Sequence, residues 1–171
     1  MLFRSRIAKT LLVAGVALYL ILVVVNNFSD YGSNFIVVQH VMSMDTTFPG
    51  NSGMWRSVHS SWLFHAYYVA LIAWELIAAS LLLRGALQLW QARDQPATSF
   101  NNAKRFAVAG LVVNMLQWLV AFLAVGGEWF LMWQSRTWNV SDTAGRMFTI
   151  LGIVLLFVST PDAELTSPHL A

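Results

Sequence analysis

The chain has no cysteine and few charged residues. Among its 171 residues, 10 are Lys or Arg and 8 are Asp or Glu, so charged residues make up 11% of the sequence, whereas soluble domains contain about 25%. The absence of cysteine excludes disulfide bonds, thiolate metal sites and cysteine nucleophiles. The net charge of +2 is too small to indicate nucleic-acid binding.

The sequence also lacks the common catalytic motifs. It contains no glycine-rich phosphate loop ending in Lys, no GxSxG and no HExxH. These motifs are typical of nucleotide-binding proteins, serine hydrolases and zinc proteases, respectively. We therefore expect a protein that is not an enzyme and that needs no cofactor.

Long hydrophobic runs dominate the sequence instead. Hydrophobic residues account for 57% of the chain, and the mean hydropathy is +0.60. A helix needs about 20 apolar residues to cross a bilayer. The predicted fold is therefore all-α: a single-domain polytopic membrane protein with four transmembrane helices in an up-down bundle. The four predicted spans are residues 7–26, 62–83, 106–125 and 143–160. The predicted loops are residues 27–61 and 126–142 on the outer side and 84–105 in the cytoplasm.

A short amphipathic helix is predicted in the first outer loop. Ser33 or Asn34 can cap this helix, which covers Phe35 to about Met44, and a turn follows at residues 49–51. We expect the helix to lie on the outer membrane surface or over the ends of the spans.

Basic residues predict the orientation of the chain. The N-terminal segment and the loop at 84–105 hold seven of the ten Lys and Arg residues, which places both termini in the cytoplasm by the positive-inside rule. Five of the eight Trp residues lie near the opposite boundary, as an aromatic belt would. No small-residue cleavage site follows the first apolar run, so we expect that run to be retained as a span.

Close helix packing is predicted in the fourth span. Gly145 and Gly152 lie seven residues apart on one stripe of that helix. Small residues in this arrangement would allow a neighbouring helix to approach closely.

Glu75 is the only charged side chain within the second span. A carboxylate near the membrane midplane costs about 2.5–3.5 kcal/mol on insertion scales, so it should face protein or water. Glu75 lies nine residues from Arg84, and Asn114 lies nine residues from Arg105, which predicts equal depth in an antiparallel hairpin. Gln117 follows one turn later on the same face. We therefore predict a buried polar cluster of Glu75, Asn114 and Gln117.

Two interpretations of this cluster remain open. It can be structural, because polar side chains that bond across helices stabilise a bundle by about 0.6–2 kcal/mol each. It can also be a proton relay, an ion site or a ligand-binding carboxyl, because acids inside membranes often mark functional sites. We place the structural interpretation first, since the two amides satisfy the carboxyl without any further function.

Two other candidate sites lie on the outer side. His65 and Glu128 could hydrogen-bond a ligand such as a quinone headgroup, whereas haem is disfavoured because the first, third and fourth spans contain no His. His40, Met42 and Met44 combine imidazole with thioethers, which are ligands that suit Cu(I). Packing of the two Met side chains explains so short a motif better, so no metal is expected.

The run from Asn27 to Gly50, NFSDYGSNFIVVQHVMSMDTTFPG, resembles a family of bacterial small integral membrane proteins, domain-of-unknown-function family 2165. The similarity continues through Trp74 and Glu75 in the second span. The resemblance implies about four spans in a bacterial inner membrane. It implies no activity or cofactor and carries over no functional residue.

The sequence thus predicts a small inner-membrane protein that acts as a non-enzymatic accessory or interaction subunit, with residues 27–61 as an outer docking surface. One alternative is a small transporter or ion-coupled protein that uses Glu75, and another is a quinone- or haem-associated membrane subunit. The expected partners are the lipid bilayer and either another membrane protein or a second copy of the chain. Nucleic acid is not an expected partner.

Overall fold

The computed structural model describes residues 2–165, and within this range the chain forms helices and no strands. The helices are α1 (Leu2–Ser29), α2 (Tyr31–Ser43), α3 (Ser61–Ala92), α4 (Ala97–Ala103), α5 (Arg105–Leu116) and α6 (Ser141–Ser159). Helix α5 continues as a π-helix over Gln117–Trp129, which we call the π segment. Short 3₁₀ turns occur at Ser52–Arg56 and Met132–Gln134.

Four helical stretches in the described range are long and apolar enough to cross a membrane. They are Phe3–Ser29, Ser61–Ala92, Ala97–Trp129 and Ser141–Ser159. The prediction of an all-α protein with four membrane helices is therefore confirmed. Several of these helices extend well beyond the predicted spans, because charged or amide side chains end an apolar run without ending a helix.

The predicted amphipathic helix is present as α2, but it begins four residues earlier than the expected start at Phe35. Asp30 alone separates α1 from α2, and Ser33 donates a hydrogen bond to the Asp30 carboxylate (2.6 Å) rather than capping the helix. Val38 and Met42 are buried. Helix α2 therefore folds back over its own bundle.

Helices α3 and α5 cross at two glycines. A Cβ atom on Gly110 would lie 2.9 Å from the backbone nitrogen of Leu82, and a Cβ on Gly85 would overlap the backbone of Ala107. The backbones therefore approach too closely for a larger side chain at either position. The expected close approach at Gly145 and Gly152 is wrong, because a Cβ on Gly145 would meet no atom of residues 2–165 within 4 Å and a Cβ on Gly152 would make only an ordinary contact with Met115 (3.5 Å).

Most of the apolar core lies below Glu75, towards the end of the bundle where α1 begins and α6 ends. Val13, Leu82, Leu111 and Leu151 are fully buried there. A second apolar cluster lies under α2, at the opposite end. We call the end that carries Arg6, Lys104 and Asp162 the terminal face, and the end that carries α2 and residues 130–140 the loop face.

Buried ion pairs hold the segment after α6 to the rest of the terminal face. The ammonium groups of Lys9 and Lys104 both contact one carboxylate oxygen of Asp162, at 2.6 Å and 2.5 Å. Both also donate to the backbone oxygen of Thr160, at 2.8 Å and 2.7 Å. Arg6 donates to three further backbone oxygens, one of them in Ala163 (2.9 Å). The segment after α6 is thereby docked against α1 and the α4–α5 junction.

Candidate ligand site around Glu75

Glu75 bridges three helices. It lies on α3 with 8% of its surface exposed, and it therefore faces protein rather than lipid. One carboxylate oxygen accepts a hydrogen bond from the Asn27 amide of α1 (2.7 Å), and the other accepts from the Gln117 amide (3.3 Å). The carboxyl group is thus held from two sides by amide donors, as an acceptor in a membrane bundle requires.

Asn27 is the centre of the polar network. It is buried close to the end of α1, and its side-chain oxygen accepts from Asn34 (2.7 Å) and from the Tyr68 hydroxyl (3.1 Å). Those two bonds leave the Asn27 amide nitrogen free to donate to Glu75. The hydrogen bonds therefore all run in one direction: Asn34 and Tyr68 donate to Asn27, and Asn27 donates to the carboxyl of Glu75.

Gln117 is the first residue of the π segment. π-helical turns are rare and often occur at functional sites. Two side chains of α3 bond to backbone oxygens on either side of Gln117: Trp74 donates to Val113 (2.9 Å), and Tyr67 donates to Ala121 (3.0 Å). These bonds fix the helix around the residue that faces Glu75.

A cavity of about 270 Å³ lies beside the network, between α1, α3, the π segment and α6. The polar side chains in its wall are Tyr19, Asn27, Asn34, Tyr68, Glu75 and Thr143. The rest of the wall is apolar or aromatic and includes Val23, Trp118 and Phe122. Helix α2 and Val140 cover the cavity on the loop face. The volume is just below the range of about 300–1,000 Å³ that is usual for ligand sites.

Trp118, whose side chain also lines the cavity, has a buried hydrogen-bond donor without a partner in the described part of the chain. Its indole nitrogen is buried and has no acceptor among residues 2–165, while its ring packs against Phe122 at 4.7 Å between centroids. Leaving a buried donor unpaired costs about 1–3 kcal/mol. The wall thus combines the carboxylate acceptor of Glu75 with the aromatic rings of Trp118 and Phe122.

The expected position of Asn114 in the cluster is wrong. Asn114 is fully buried, but neither of its side-chain polar atoms has a partner in the described chain, and Gln117 makes the contact with Glu75 instead. The level of the two helices is set by the contact of Gly85 with Ala107. Glu75 lies ten residues before Gly85, and Gln117 lies ten residues after Ala107, so these two side chains are at the same level. The count from Arg84 and Arg105 placed Asn114 at that level instead, which is an error of three residues, or about 4.5 Å along the helix.

His65 and Glu128 have separate surroundings. The His65 ring hydrogen-bonds to the Tyr31 hydroxyl (2.8 Å) and stacks on Phe35 at 4.2 Å. Glu128 lies in a different, open groove at the end of the π segment, and its backbone oxygen accepts from Arg56 (3.3 Å). No hydrogen bond links His65 to Glu128 within the described residues.

The candidate copper ligands are also occupied by other contacts. His40 bonds to the Asp45 carboxylate (2.7 Å) and stacks on Trp138 at 4.4 Å. Met42 and Met44 are buried in the apolar cluster under α2. Across residues 2–165, no three His, Cys, Asp or Glu side chains come together as a metal ion would need.

Sequence reasoning missed Asn27, Asn34 and Tyr68. The pair Asn26–Asn27 at the end of the first apolar run was a visible signal, because polar side chains in membrane helices usually face protein or water. Asn27 rather than Asn26 faces the bundle because it continues the buried stripe of α1 that includes Leu20 and Val24.

Four apolar helices around a buried polar network define an α-helical polytopic membrane protein. A family model described as "Predicted small integral membrane protein (DUF2165)" matches residues 5–161. The chain therefore belongs to the DUF2165 family and is a small integral membrane protein that lies in a lipid bilayer. No curated protein and no solved structure was found to match it.

Proposed function

We propose that this protein is a non-enzymatic membrane protein that binds a small ligand from the lipid in the Glu75 cavity. The observation that supports this proposal most directly is the wall of the cavity, where the buried Glu75 side chain borders a space of about 270 Å³ that is otherwise lined mostly by apolar and aromatic side chains. A purely structural network would have no need of such a space, because buried polar groups pair with one another and pack closely.

Binding agrees with the contacts better than conduction does. Beyond the buried Asn114, one turn from Gln117, fully buried apolar side chains such as Leu82 and Leu111 fill the bundle towards the terminal face. A path for ions or protons through this region would need polar groups or water. We therefore propose an accessory or interaction subunit whose state depends on the ligand, rather than a transporter.

We also propose a bacterial inner-membrane location with both termini in the cytoplasm. The basic side chains Arg6, Lys9 and Lys104 gather at the terminal face, and exposed indoles such as Trp55 and Trp62 gather at the loop face. Cytoplasmic loops carry an excess of Lys and Arg, so this distribution supports the orientation.

The absence of native cysteine allows a direct test of the orientation. Single substitutions at exposed positions, Ser52→Cys on the loop face and Thr98→Cys on the terminal face, would be treated with a membrane-impermeant maleimide in intact cells. We expect labelling of the Ser52→Cys protein at once and of the Thr98→Cys protein only after permeabilisation. The reverse pattern would show that the orientation is inverted.

The proposed ligand binding is tested with two matched variants of α1. Val23→Phe would fill the cavity, whereas Val25→Phe places the same side chain on the exposed surface of the same helix. Native mass spectrometry of protein extracted from its own membranes should reveal a small bound molecule on the unaltered protein and on Val25→Phe, but not on Val23→Phe. Equal adducts on all three proteins, or none on the unaltered protein, would contradict the proposal.

A further inference from the structure

We infer that the ligand is an amphiphile with a protonated amine, whose ammonium group contacts Glu75 and whose alkyl chain leaves the cavity between α1 and α6. This inference rests on the proposed function, and it adds the chemical class of the ligand and the direction from which the ligand enters.

The charge of the wall favours a cation. Among residues 2–165, Glu75 is the only acidic side chain in the wall of the cavity, and no Lys, Arg or His from this range lines it. An ionised carboxylate has about four acceptor positions, of which Asn27 and Gln117 use two. An ammonium group can fill the remaining positions with its N–H donors, whereas an anionic head would meet a carboxylate of the same charge.

Aromatic side chains surround the same space. Tyr19, Tyr68, Trp118 and Phe122 all line the cavity. The faces of aromatic rings attract ammonium groups, most strongly where water is excluded. Aliphatic residues such as Val23 complete the wall, so the site suits a group that is cationic at one end and apolar at the other.

The position of Glu75 allows the amphiphile to enter the cavity laterally, from the lipid between α1 and α6. Glu75 is level with Asn27, which lies two residues before the end of α1, and Thr143 is the third residue of α6. Helix α1 packs much more closely on α3 than on α6, and α6 packs more closely on α5 and the π segment than on α1. Tyr19, which lines the cavity, remains 38% exposed. An alkyl chain can therefore pass between these two helices into the lipid.

A cation lies outside this opening. Arg146, exposed on α6, lies three residues, or about one turn, after the cavity residue Thr143. A phosphate further along the ligand would meet this guanidinium. The same amine chemistry therefore has two sources, a free alkylamine or the headgroup of an aminophospholipid, and the experiment must separate them.

The test compares three probes with the same chain and different heads: n-decylamine, n-decanol and n-decyl sulfate. Binding is measured by the change in tryptophan fluorescence of the full-length protein in nanodiscs of phosphatidylcholine. We expect decylamine to bind at least about tenfold more tightly than decyl sulfate. Glu75→Gln, which keeps the shape of the side chain, should lose this preference. Its unfolding temperature, measured alongside, shows whether it remains folded.

The outcomes separate this inference from the proposed function. If Val23→Phe binds each probe as tightly as Val25→Phe does, the probes do not bind in the cavity, and both proposals fail. If Val23→Phe abolishes binding but decylamine has no advantage, or if Glu75→Gln keeps the advantage, only the amine inference is overturned.

Adding phosphatidylethanolamine to the nanodiscs identifies the source of the amine. If this lipid competes with decylamine, and Arg146→Gln weakens the competition, the ligand is an aminophospholipid. If the lipid does not compete, the ligand is a free alkylamine. Both results support the inference, whereas equally tight binding of decyltrimethylammonium, which has no N–H donors, would overturn the proposed contact of an N–H donor with Glu75.

Discussion

Gly85 of α3 lies against the backbone of Ala107 in α5, and this contact brings Glu75 opposite Gln117, ten residues further along each helix. A Cβ atom at position 85 would overlap the Ala107 backbone, which cannot yield as the end of a flexible side chain can. The crossing therefore sets both the distance between the helices and the residues that meet at the polar network.

Gly85→Val is expected to destabilise the protein and to disturb the Glu75 network. Overpacking of a close contact costs about 1–3 kcal/mol, and here the clash is with backbone. The matched control is Gly145→Val, since a Cβ on Gly145 meets no atom within 4 Å. Thermal unfolding in detergent should show a lower midpoint for Gly85→Val alone. Equal midpoints for the two variants would contradict the crossing.

Asn27→Leu is expected to weaken the fold, because it leaves Glu75 without its shorter hydrogen bond (2.7 Å). The loss of a partner from a buried polar group costs about 1–3 kcal/mol. The adjacent Asn26 is exposed, so Asn26→Leu makes the same change in helix propensity without touching the network. If chemical unfolding gives the same free energy for both variants, Asn27 does not hold Glu75.

Asn114→Leu and Gln117→Leu are expected to have opposite effects on the free energy of unfolding. The buried side chain of Asn114 has no partner in the described chain, so an apolar residue of the same size should stabilise the fold. Gln117→Leu removes a donor to Glu75 and should destabilise it. Reversed signs would indicate that the count from Arg84 and Arg105 gave the true level of the helices.

Acid is expected to release residues 160–164 from the terminal face. Burial raises the pKa of the Asp162 carboxyl, but hydrogen bonds from Lys104 and Lys9 outweigh this effect and hold the pKa below its usual range. The carboxylate therefore stabilises docking above the ordinary Asp pKa of about 3.9. This stability is lost as the pH falls through the lower folded-state pKa.

Hydrogen exchange of the backbone amides in residues 160–164, corrected for intrinsic rates, measures this release. Protection should fall only below about pH 4, and in Asp162→Asn it should already be low at neutral pH. The exposed Asp94→Asn serves as the control. Protection of the unaltered protein that persists at pH 2 would show that the ion pairs do not hold this segment.

The sequence was sufficient for the four membrane helices, because hydropathy reports on them. Residue spacing named Gln117 only as the residue one turn after Asn114, and the structure shows that Gln117 makes the contact with Glu75. The error at Asn114 arose because two arginines were used as markers of depth. Long basic side chains extend towards water from several levels of a helix, and the guanidinium groups of Arg84 and Arg105 both lie over the ring of Phe106. Glycines at which two helix backbones touch show more reliably than arginines which residues of the two helices lie at the same depth.

The remainder of the site depends on contacts that no local pattern encodes. Asn34 reaches Asn27 only because α2 folds back after the single residue Asp30. The outer docking surface at residues 27–61 stays a prediction, and within this segment α2 buries Val38 and Met42 against its own bundle. Such folding back is decided by tertiary packing, which the periodicity of one segment does not specify.

The central claim is that the Glu75 carboxyl contacts the ligand, and carbon-13 NMR of the glutamate carboxyl groups tests it most directly. The chain has three glutamates, Glu75, Glu128 and Glu164, and Glu75→Gln assigns the signal of interest by its loss. With decylamine, we expect the Glu75 signal to shift and the other two to remain in place, while decanol shifts none of them. A Glu75 signal that does not respond to decylamine, or three signals that move together, would contradict the claim.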